Sequence, residues 1–472
     1  MNKRILIPFV LLIVLIPLKI GAQNQISTQS IAGSWFGKLN LSGVTLRIVF
    51  NLTMAGNDSL AATLDSPDQG AKGIKIGPVK IENENIKISA PTLLGEYNGT
   101  FRNDTLIDGT WKQAGNSWPL SLTKLKKEFT LNRPQEPKPP FPYLSEDVKF
   151  RNEKANIQLA GTLTFPKGNG PFPAAIMITG SGAQNRNEEL MGHKPFLIIA
   201  DYLTRNGIAV LRVDDRGVGQ SEAGSVSPTT LDFATDVQAA FDFLRTRGNI
   251  NPKFIGLIGH SEGGLIAPIE ASANHDIAFI ISLSGTGVPG EQILYRQTWD
   301  INKASGMKEA ELKSSEKMAR EMYAVLKKEP DNKKATEEMS AILQRTLARQ
   351  KSSPEDVKKA LDQFPVSAAT LTSSWFRKFL VLNPADYWKK VTCPVLALNG
   401  EKDLQVAYDV NLPAIKKALS SGGNKKVTAR SFPDLNHLYQ HCKTGLISEY
   451  GEIEETFSPE VLKIMSDWIH GL

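Results

Sequence analysis

The chain has 472 residues, too many for one ordinary domain, and its 41% hydrophobic and 22% charged residues are typical of a globular protein. The formal net charge is +6, but the basic residues are scattered and form no stripe interleaved with aromatic residues, which excludes nucleic acid as an expected partner. The sequence contains no C-x-x-C motif, no Cys/His cluster and no H-E-x-x-H motif, so neither a metal nor a cofactor is expected.

Residues 1–22 form a segment of their own. They begin with two basic residues, continue with an apolar run over 5–18 and end in small residues, which predicts a secretory signal peptide. A membrane anchor fits less well, because the run is short for a bilayer and contains two prolines. No cysteine comes directly after the run, so a lipoprotein anchor is not expected either. The segment predicts a periplasmic or secreted protein whose mature form begins near Gln23.

Residues 23–132 are expected to form a small all-β module, a barrel or a sandwich. Short alternating runs are separated by turn-forming clusters, as at 44–50, 74–76, 86–88 and 118–122. Three tryptophans, Trp35, Trp111 and Trp118, are interpreted mainly as core residues. A glycan or lipid contact made by this module is the alternative hypothesis for these side chains.

A proline-rich linker over 133–144 is expected to be extended and to separate the β module from the remaining chain. From 145 to 472, apolar strand candidates alternate with amphipathic helices. The strand candidates are 174–179, 209–213, 254–258, 278–283 and 395–398. This alternation predicts an α/β domain with a mostly parallel sheet covered by helices on both faces.

Residues of about 288–388 interrupt the alternation with helical stripes rich in Lys and Glu. The stretch falls between two strand candidates, so it is expected to be a helical cap over the carboxyl edge of the sheet, where ligands bind. The final helix is expected to begin at Pro459, with Ser458 as its N-cap.

The sequence Gly259-His260-Ser261-Glu262-Gly263 lies between two apolar runs. A strand, a sharp turn and a helix in this order present a serine hydroxyl above a sheet, and the flanking glycines leave room for the turn. Ser261 is therefore the candidate nucleophile, and the alternative is a Gly/Ser turn without chemistry.

A serine needs a base to remove its proton, and the chain has six histidines. His260 lies inside the turn itself, and His193 follows the first core strand, where it could line a pocket. The candidate base is His437, just past the strand candidate 427–431, with His441 held in reserve. His275 and His470 lie in a polar connection and in the last helix.

The acid that orients the base is expected after the preceding strand. Asp403 follows the strand candidate 395–398 and is the first choice, with Glu401 as the weaker candidate. Asp434 is close to His437 in the sequence but is interpreted as shaping its loop.

The oxyanion of an acyl-transfer intermediate needs two backbone N–H donors. Glu262 supplies one, and the loop after strand 174–179 is expected to supply the other through Ser181, with Gly182 as the alternative. The turn Asp214-Asp215-Arg216-Gly217 is interpreted as structural, although its charges could bind substrate.

The two cysteines, Cys393 and Cys442, are expected to be unpaired. Cys393 should begin a strand and Cys442 should follow a loop at its far end, about 23 Å away, which exceeds the reach of a disulfide.

Residues 145–472 resemble the α/β-hydrolase superfamily, especially bacterial serine hydrolases grouped with the serine aminopeptidase and monoglyceride-lipase-like families. The matching segments are "GSGAQNRNE" at 180–188, "LTRNGIAVLRVDDRGVGQS" at 203–221, "GHSEGG" at 259–264, "NGEKDLQV" at 399–406 and "DLNHLYQ" at 434–440. The order Ser…Asp…His is also that of this superfamily. Thr179 departs from the pattern, since many relatives carry histidine there.

The resemblance implies that Ser261 is the nucleophile, Asp403 the acid and His437 the base, with backbone donors at Ser181 and Glu262. The expected activity is that of a secreted, carboxylesterase-like serine hydrolase that acts on a small-molecule ester or acyl substrate. Aminopeptidase-like or thioesterase activity on the same triad is one alternative. A glycan- or lipid-binding protein with an incidental hydrolase fold is the other.

Overall fold

The structure is a computed structural model that describes residues 28–41, 44–56, 59–224 and 227–472. The predicted signal peptide, 1–22, lies outside the described residues. The described chain divides into two compact units, of which one comprises 28–39, 48–65 and 73–129. The other comprises 40–47, 66–72 and 130–472. In the described ranges no helix is both long enough and apolar enough to cross a membrane.

The N-terminal strands join in one ten-stranded sheet, whose order is β4-β3-β2-β1-β10-β8-β7-β6-β5, with β9 paired to β8. The first helix is the single turn α1, Thr28–Ile31. The ten strands are β1 Gly33–Leu41, β2 Val44–Met54, β3 Leu60–Ser66, β4 Ala71–Lys75, β5 Val79–Glu82, β6 Asn85–Ala90, β7 Gly95–Asn103, β8 Leu106–Gln113, β9 Asn116–Pro119 and β10 Leu122–Lys124. The expected strand over 118–122 is thus two strands, β9 and β10.

The core of the first unit is aromatic. Trp35 and Tyr97 are fully buried, and the ring of Phe50 lies 5.4 Å from that of Tyr97 and 6.1 Å from that of Trp111. Trp35 and Trp111 are therefore core residues, as the sequence favours, whereas Trp118 is only half-buried. Large aromatic side chains supply most of the apolar area that a small β unit can bury.

The second unit contains an eight-stranded sheet in the order β11-β12-β14-β13-β15-β16-β17-β18. The pairs β11–β12 and β12–β14 are antiparallel. All the following pairs, β14–β13, β13–β15, β15–β16, β16–β17 and β17–β18, are parallel. The bounds are β11 Leu144–Asn152, β12 Ile157–Phe165, β13 Phe172–Ile178, β14 Ala209–Val213, β15 Ile250–His260, β16 Ile280–Leu283, β17 Val395–Gly400 and β18 Val427–Phe432.

Helices cover both faces of this sheet, which confirms the predicted fold class. One face packs against α2 (Pro195–Arg205) and α13 (Pro459–His470). The other packs against α3 (Thr230–Arg245), α4 (Gly263–Ala271) and α11 (Tyr408–Ser421). Alternate residues of each strand face opposite sides, so a parallel sheet covered twice needs the nearly continuous apolar strands seen in the sequence. A short helix, α12 (Ile447–Tyr450), precedes α13.

Between β16 and β17 the chain forms six helices and no strand. These helices are α5 Gly290–Ala304, α6 Glu309–Lys328, α7 Asn332–Arg349, α8 Pro354–Leu371, α9 Ser374–Val381 and α10 Ala385–Trp388. They enclose an apolar cluster of their own, which includes Tyr323, Met339 and Phe376. We call α5–α10 the cap.

The last helix begins at Pro459, the residue expected from the sequence. Ser458 holds the N-cap position, but its buried hydroxyl makes no capping hydrogen bond and has no other partner among the residues that the structure describes. The start of α13 is set by the fixed φ of proline at the first helical position more than by the cap.

Candidate active site

Ser261 lies at the apex of the turn between β15 and α4. Its φ of +54° is left-handed, a conformation that costs a non-glycine residue free energy and is found at functional sites. The backbone N–H of Ser261 donates to the carbonyl of Leu283 on β16 at 2.9 Å, which ties the apex to the neighbouring strand. A Cβ on Gly259 would collide with the carbonyl of Gly263, so the close turn requires glycine there.

His437 and Asp403 are hydrogen-bonded partners at the carboxyl edge of the sheet. Asp403 follows β17 and His437 follows β18, and the distance between His437 Nδ1 and Asp403 Oδ2 is 2.8 Å. Asp403 also accepts from the backbone N–H groups of Gln405 at 2.8 Å and Val406 at 2.9 Å. A carboxylate can only accept, so Nδ1 of His437 carries a proton and Nε2 is the ring nitrogen turned away from Asp403.

Two buried side chains that the sequence did not single out hold the loop of His437. The side-chain oxygen of Asn436 accepts from the backbone N–H groups of Leu438 and Gln440, each at 3.0 Å. The hydroxyl of Tyr439 donates to the carbonyl of Leu398 at 2.7 Å and accepts from the N–H of Ser284 at 2.8 Å. The loop is thereby fastened to β17 and to the segment after β16.

Glu262, the residue after Ser261, has a buried carboxyl group. It accepts from the hydroxyl of Thr230 at 2.7 Å and from the indole N–H of Trp375, on cap helix α9, at 2.8 Å. Burial raises the pKa of Glu262, against the effect of hydrogen bonds from Thr230, Trp375 and Ser181.

Behind the apex, His260 and Glu188 form a buried pair. His260 Nδ1 lies 2.9 Å from Glu188 Oε1, and His260 Nε2 lies 2.9 Å from the carbonyl oxygen of His437. The same Glu188 oxygen accepts from the backbone N–H of Gly180 at 2.7 Å. Burial opposes the charged imidazole, but the charge and hydrogen bond of Glu188 and the His437 carbonyl together raise the pKa of His260.

Ser261 and His437 line one cavity of about 250 Å³. Ser181, Glu262 and Glu188 also line it, and apolar side chains of the cap complete the wall: Ile293, Leu294, Trp375 and Phe379. The rings of Trp375 and Phe379 stack with centroids 5.6 Å apart. Four of the five residues that the sequence selected, Ser181, Ser261, Glu262 and His437, thus line one cavity. The fifth, Asp403, does not line it but is hydrogen-bonded to His437.

The reserve candidates lie elsewhere. His441 is exposed and its Nδ1 lies 2.8 Å from Glu455 Oε2. Glu401 accepts from the hydroxyl of Ser431 at 2.7 Å, and Asp434 pairs with Lys402 at 3.0 Å. None of these three belongs to the described residues that line the 250 Å³ cavity.

His193 and Gly182, two further candidates, are also outside the lining of this cavity. His193 is buried between Thr456 and the carbonyl of Tyr450, and burial lowers its pKa to about 4, so it is neutral. Gly182 lines a separate cavity of about 50 Å³.

The turn after β14 has structural bonds, as the sequence favours. Arg186 pairs with Asp214 at 2.7 Å, and Asp215 accepts from the hydroxyl of Thr179 at 2.6 Å and from the N–H of Gln184 at 2.9 Å. Burial raises the pKa of Asp215 to about 7. These bonds hold the loop between β13 and α2.

Across the described ranges no group of three or more His, Cys, Asp or Glu side chains is arranged to hold a metal ion. Cys393 and Cys442 are both free thiols. Their surroundings raise the pKa of each thiol, to about 12 for Cys393 and to about 11 for Cys442, mainly through burial.

A mostly parallel sheet covered on both faces, with a serine on a left-handed turn between a strand and a helix, defines the α/β-hydrolase fold. A family model described as serine aminopeptidase, S33, matches residues 195–441, more than half of the chain. The chain therefore belongs to this family.

Individual relatives are more distant. Esterase EstD of Thermotoga maritima is 28% identical over 284 residues, which cover 59% of this chain and 58% of EstD. The uncharacterized protein YfhR of Escherichia coli K12 is 30% identical over 125 residues, covering 26% of this chain and 41% of YfhR. The chain therefore spans less than two thirds of the length of these relatives. The solved structure of esterase Pf2001 from Pyrococcus furiosus has 16% identity and a TM-score of 0.41, covering 70% of this chain and 93% of that one.

Proposed function

We propose that this protein is a serine hydrolase that cleaves uncharged carboxylic esters. The observation that carries the proposal is the 2.8 Å hydrogen bond between His437 and Asp403, with His437 and Ser261 lining the same cavity. The name of the relative EstD, an esterase, supports the same class of reaction.

In the proposed reaction Ser261 Oγ attacks the acyl carbon while Nε2 of His437 takes its proton. The negative charge that forms on the carbonyl oxygen is stabilised by the backbone N–H groups of Ser181 and Glu262. His437 then gives the proton to the departing alcohol, which leaves the acyl group on Ser261. A water molecule, activated by His437 in the same way, releases the acid and restores the serine. Asp403 stabilises the imidazolium in both halves.

The charges of the cavity favour esters over peptides with a free N-terminus. An aminopeptidase needs a carboxylate to pair with the substrate ammonium group. Of the described residues that line the cavity, Glu188 and Glu262 are the only carboxylates. Glu188 is paired with His260, and Glu262 accepts hydrogen bonds from Thr230 and Trp375. Neither is available to a substrate cation without losing these partners.

The test is hydrolysis of p-nitrophenyl acetate and butyrate by the wild type and by Ser261→Ala. Loss of the nucleophile should lower kcat by about 10³-fold or more. Ser420→Ala, on an exposed position of α11, is the matched control and should hydrolyse both esters like the wild type. Equal turnover by the wild type and Ser261→Ala would refute the proposal.

A panel of aminoacyl p-nitroanilides separates the ester and amide alternatives. We expect no amide cleavage at enzyme concentrations that hydrolyse the esters within minutes. Amide cleavage at a comparable kcat/KM would favour the aminopeptidase alternative, and thioester substrates added to the same panel test the thioesterase alternative.

We further propose that the protein is exported, on the basis of the apolar segment preceding Gln23. N-terminal sequencing of the protein from the periplasm or medium should begin near Gln23. A chain that starts at Met1 in the cytoplasm would contradict this proposal.

A glycan or lipid contact of the β module stays a proposal, and it now depends on Trp118, since Trp35 and Trp111 are buried. Retention of the full protein on insoluble polysaccharides or lipid vesicles, and its loss in Trp118→Ala, would support the contact. The absence of any retention by the wild type would count against it.

A further inference from the structure

We propose that Glu188 and His260 are positioning residues, a buried ion pair that sets the separation between the loop of Gly180 and Ser181 and the loop of His437. The inference deepens the proposed function and rests on it. Neither residue was selected from the sequence, where His260 was interpreted as part of the turn alone.

The pair forms a continuous chain of hydrogen bonds across the candidate site. Gly180 donates its N–H to Glu188 at 2.7 Å, His260 donates Nδ1–H to the same oxygen at 2.9 Å, and His260 Nε2–H donates to the His437 carbonyl at 2.9 Å. Gly180 directly precedes the oxyanion candidate Ser181. One side-chain pair thus joins the backbone that carries an oxyanion donor to the backbone that carries the base.

With Glu188 as a carboxylate, His260 makes both of its bonds only when it is doubly protonated. A carboxylate oxygen and a backbone carbonyl oxygen are acceptors only, and a neutral imidazole has a single N–H. The charged imidazolium is therefore the form that satisfies both neighbours. Its ring also lies against that of His437, with centroids 4.6 Å apart.

The pair is not a favourable choice for stability by itself. Glu188 is 4% and His260 is 6% exposed, and moving two charges out of water costs free energy that well-packed apolar residues would not lose. Apolar residues could not bond to the Gly180 N–H or the His437 carbonyl. The groups that the pair holds, more than its contribution to folding, account for its presence.

The backbone of Glu188 is itself under constraint. Its φ is +50°, a left-handed conformation that a glutamate adopts at a free-energy cost. Its N–H donates to the carbonyl of Asn185 at 2.8 Å, and the Asn185 side chain accepts from the N–H of Asn187 at 2.9 Å. The turn therefore holds the carboxylate of Glu188 where it can accept the hydrogen bond from the Gly180 N–H.

Two variants of His260 separate the two bonds. Asparagine places an amide near the position of Nδ1, so His260→Asn keeps a donor for Glu188 and loses the donor to the His437 carbonyl. Glutamine reaches the position of Nε2, so His260→Gln keeps the donor to His437 and loses the one to Glu188. Glu188→Gln preserves shape and the Gly180 bond, but leaves His260 neutral with only one N–H.

Each of the three variants should lower kcat for p-nitrophenyl butyrate by about 10- to 100-fold, because a displacement of about 1 Å costs that much in a preorganised site. KM should change by less than about threefold, since neither residue is expected to bind the ester itself. The rate at which a fluorophosphonate labels Ser261 should fall in parallel with kcat.

Controls exclude a loss of activity caused by instability alone. Leu462→Ala, in α13, should lower the Tm without lowering kcat, and His470→Gln, an exposed histidine bonded to the Asn206 carbonyl, should change neither. If the three variants stay folded and keep kcat within twofold of the wild type, the inference is wrong. It is also wrong if KM rises while kcat and labelling are unchanged.

Failure of the proposed function would look different. A wild type that hydrolyses no ester would refute the ester proposal, but the labelling rates of Ser261 in the same variants would still decide the role of the pair. Labelling that slows in all three variants supports positioning, and labelling at the wild-type rate refutes it.

Discussion

The indole N–H of Trp375, on cap helix α9, donates to Oε1 of Glu262 at 2.8 Å. Glu262 directly follows Ser261 and is 2% exposed, so the cap contacts the turn of the nucleophile through a buried hydrogen bond. Because Glu262 is also the candidate oxyanion donor, the position of the cap and the geometry of the site are physically connected.

Removing this hydrogen bond should weaken both stability and activity. Trp375→Phe keeps an aromatic ring beside Phe379 but deprives the buried Glu262 of a donor, which should cost about 1 kcal/mol in the free energy of unfolding. We expect kcat/KM for p-nitrophenyl butyrate to fall by about 3- to 10-fold. Trp299→Phe is the control, since the Trp299 indole has no hydrogen-bond partner in the part of the chain that the structure describes. Equal losses of stability and of kcat/KM in Trp375→Phe and Trp299→Phe would contradict the role given to the hydrogen bond between Trp375 and Glu262.

The orientation of His437 by Asp403 predicts a large effect of a small substitution. Asp403→Asn removes the negative charge that holds Nδ1–H and should lower kcat by about 10³- to 10⁴-fold. Glu401→Gln, at the other acid considered from the sequence, should leave kcat within twofold, because Glu401 bonds to Ser431. Steady-state kinetics on the two purified variants decide between the two acids, and the reverse ranking would overturn the choice of Asp403.

The two neighbouring histidines give a second matched comparison. His437→Gln removes the proposed base and should reduce ester hydrolysis by several orders of magnitude. His441→Gln should retain it, since His441 is exposed and bonded to Glu455. Similar activity of both variants would show that His437 is not the base.

The buried hydroxyl of Tyr439 should matter more for stability than for the chemical step. Tyr439→Phe removes one partner of the Ser284 N–H and one of the Leu398 carbonyl, which keep their mutual hydrogen bond at 2.9 Å, so the loss should cost about 1 kcal/mol in the free energy of unfolding. Tyr387→Phe is the control, since the Tyr387 hydroxyl has no hydrogen-bond partner among the described residues. This substitution should change the free energy of unfolding by less than about 0.5 kcal/mol. Urea denaturation measures both, and an unchanged midpoint for Tyr439→Phe would contradict the expectation.

Glu270, on α4, predicts a pH dependence of stability. It is 6% exposed, and burial, together with the charge of Asp242, raises its pKa from 4.5 to about 7. Between these two pH values the unfolded chain releases the proton and the folded chain retains it, so the wild type loses stability as the pH rises. A shift of this size corresponds to about 3 kcal/mol.

Glu270→Gln lacks this titration. Its free energy of unfolding should exceed that of the wild type by about 2–3 kcal/mol at pH 8 and by little at pH 4.5. Glu337→Gln, at an exposed position of α7, should show no such difference between the two pH values. Denaturant titrations at both pH values measure these free energies. A stability difference between Glu270→Gln and the wild type that is the same at pH 4.5 and pH 8 would contradict the prediction.

Much of the architecture could be predicted from local patterns. The strand over 209–213 was predicted with the bounds that β14 has in the structure, and α13 begins at Pro459 as expected. Strand ends were less accurate, since β15 runs from Ile250 to His260 while only 254–258 was predicted. Apolar runs mark where a strand is buried, but its ends depend on pairing with neighbouring strands.

The sequence by itself determined the alternation of strands and helices, the cap between β16 and β17, and the positions of Ser261, Asp403 and His437. These follow from local rules, because the carboxyl ends of parallel strands meet at one edge and the residues after them are brought together. Only the tertiary structure decided that His260 pairs with Glu188, 72 residues away, and that Trp375 of the cap reaches Glu262. Such contacts depend on the distances between loops that leave different strands, and no local period in the sequence encodes those distances.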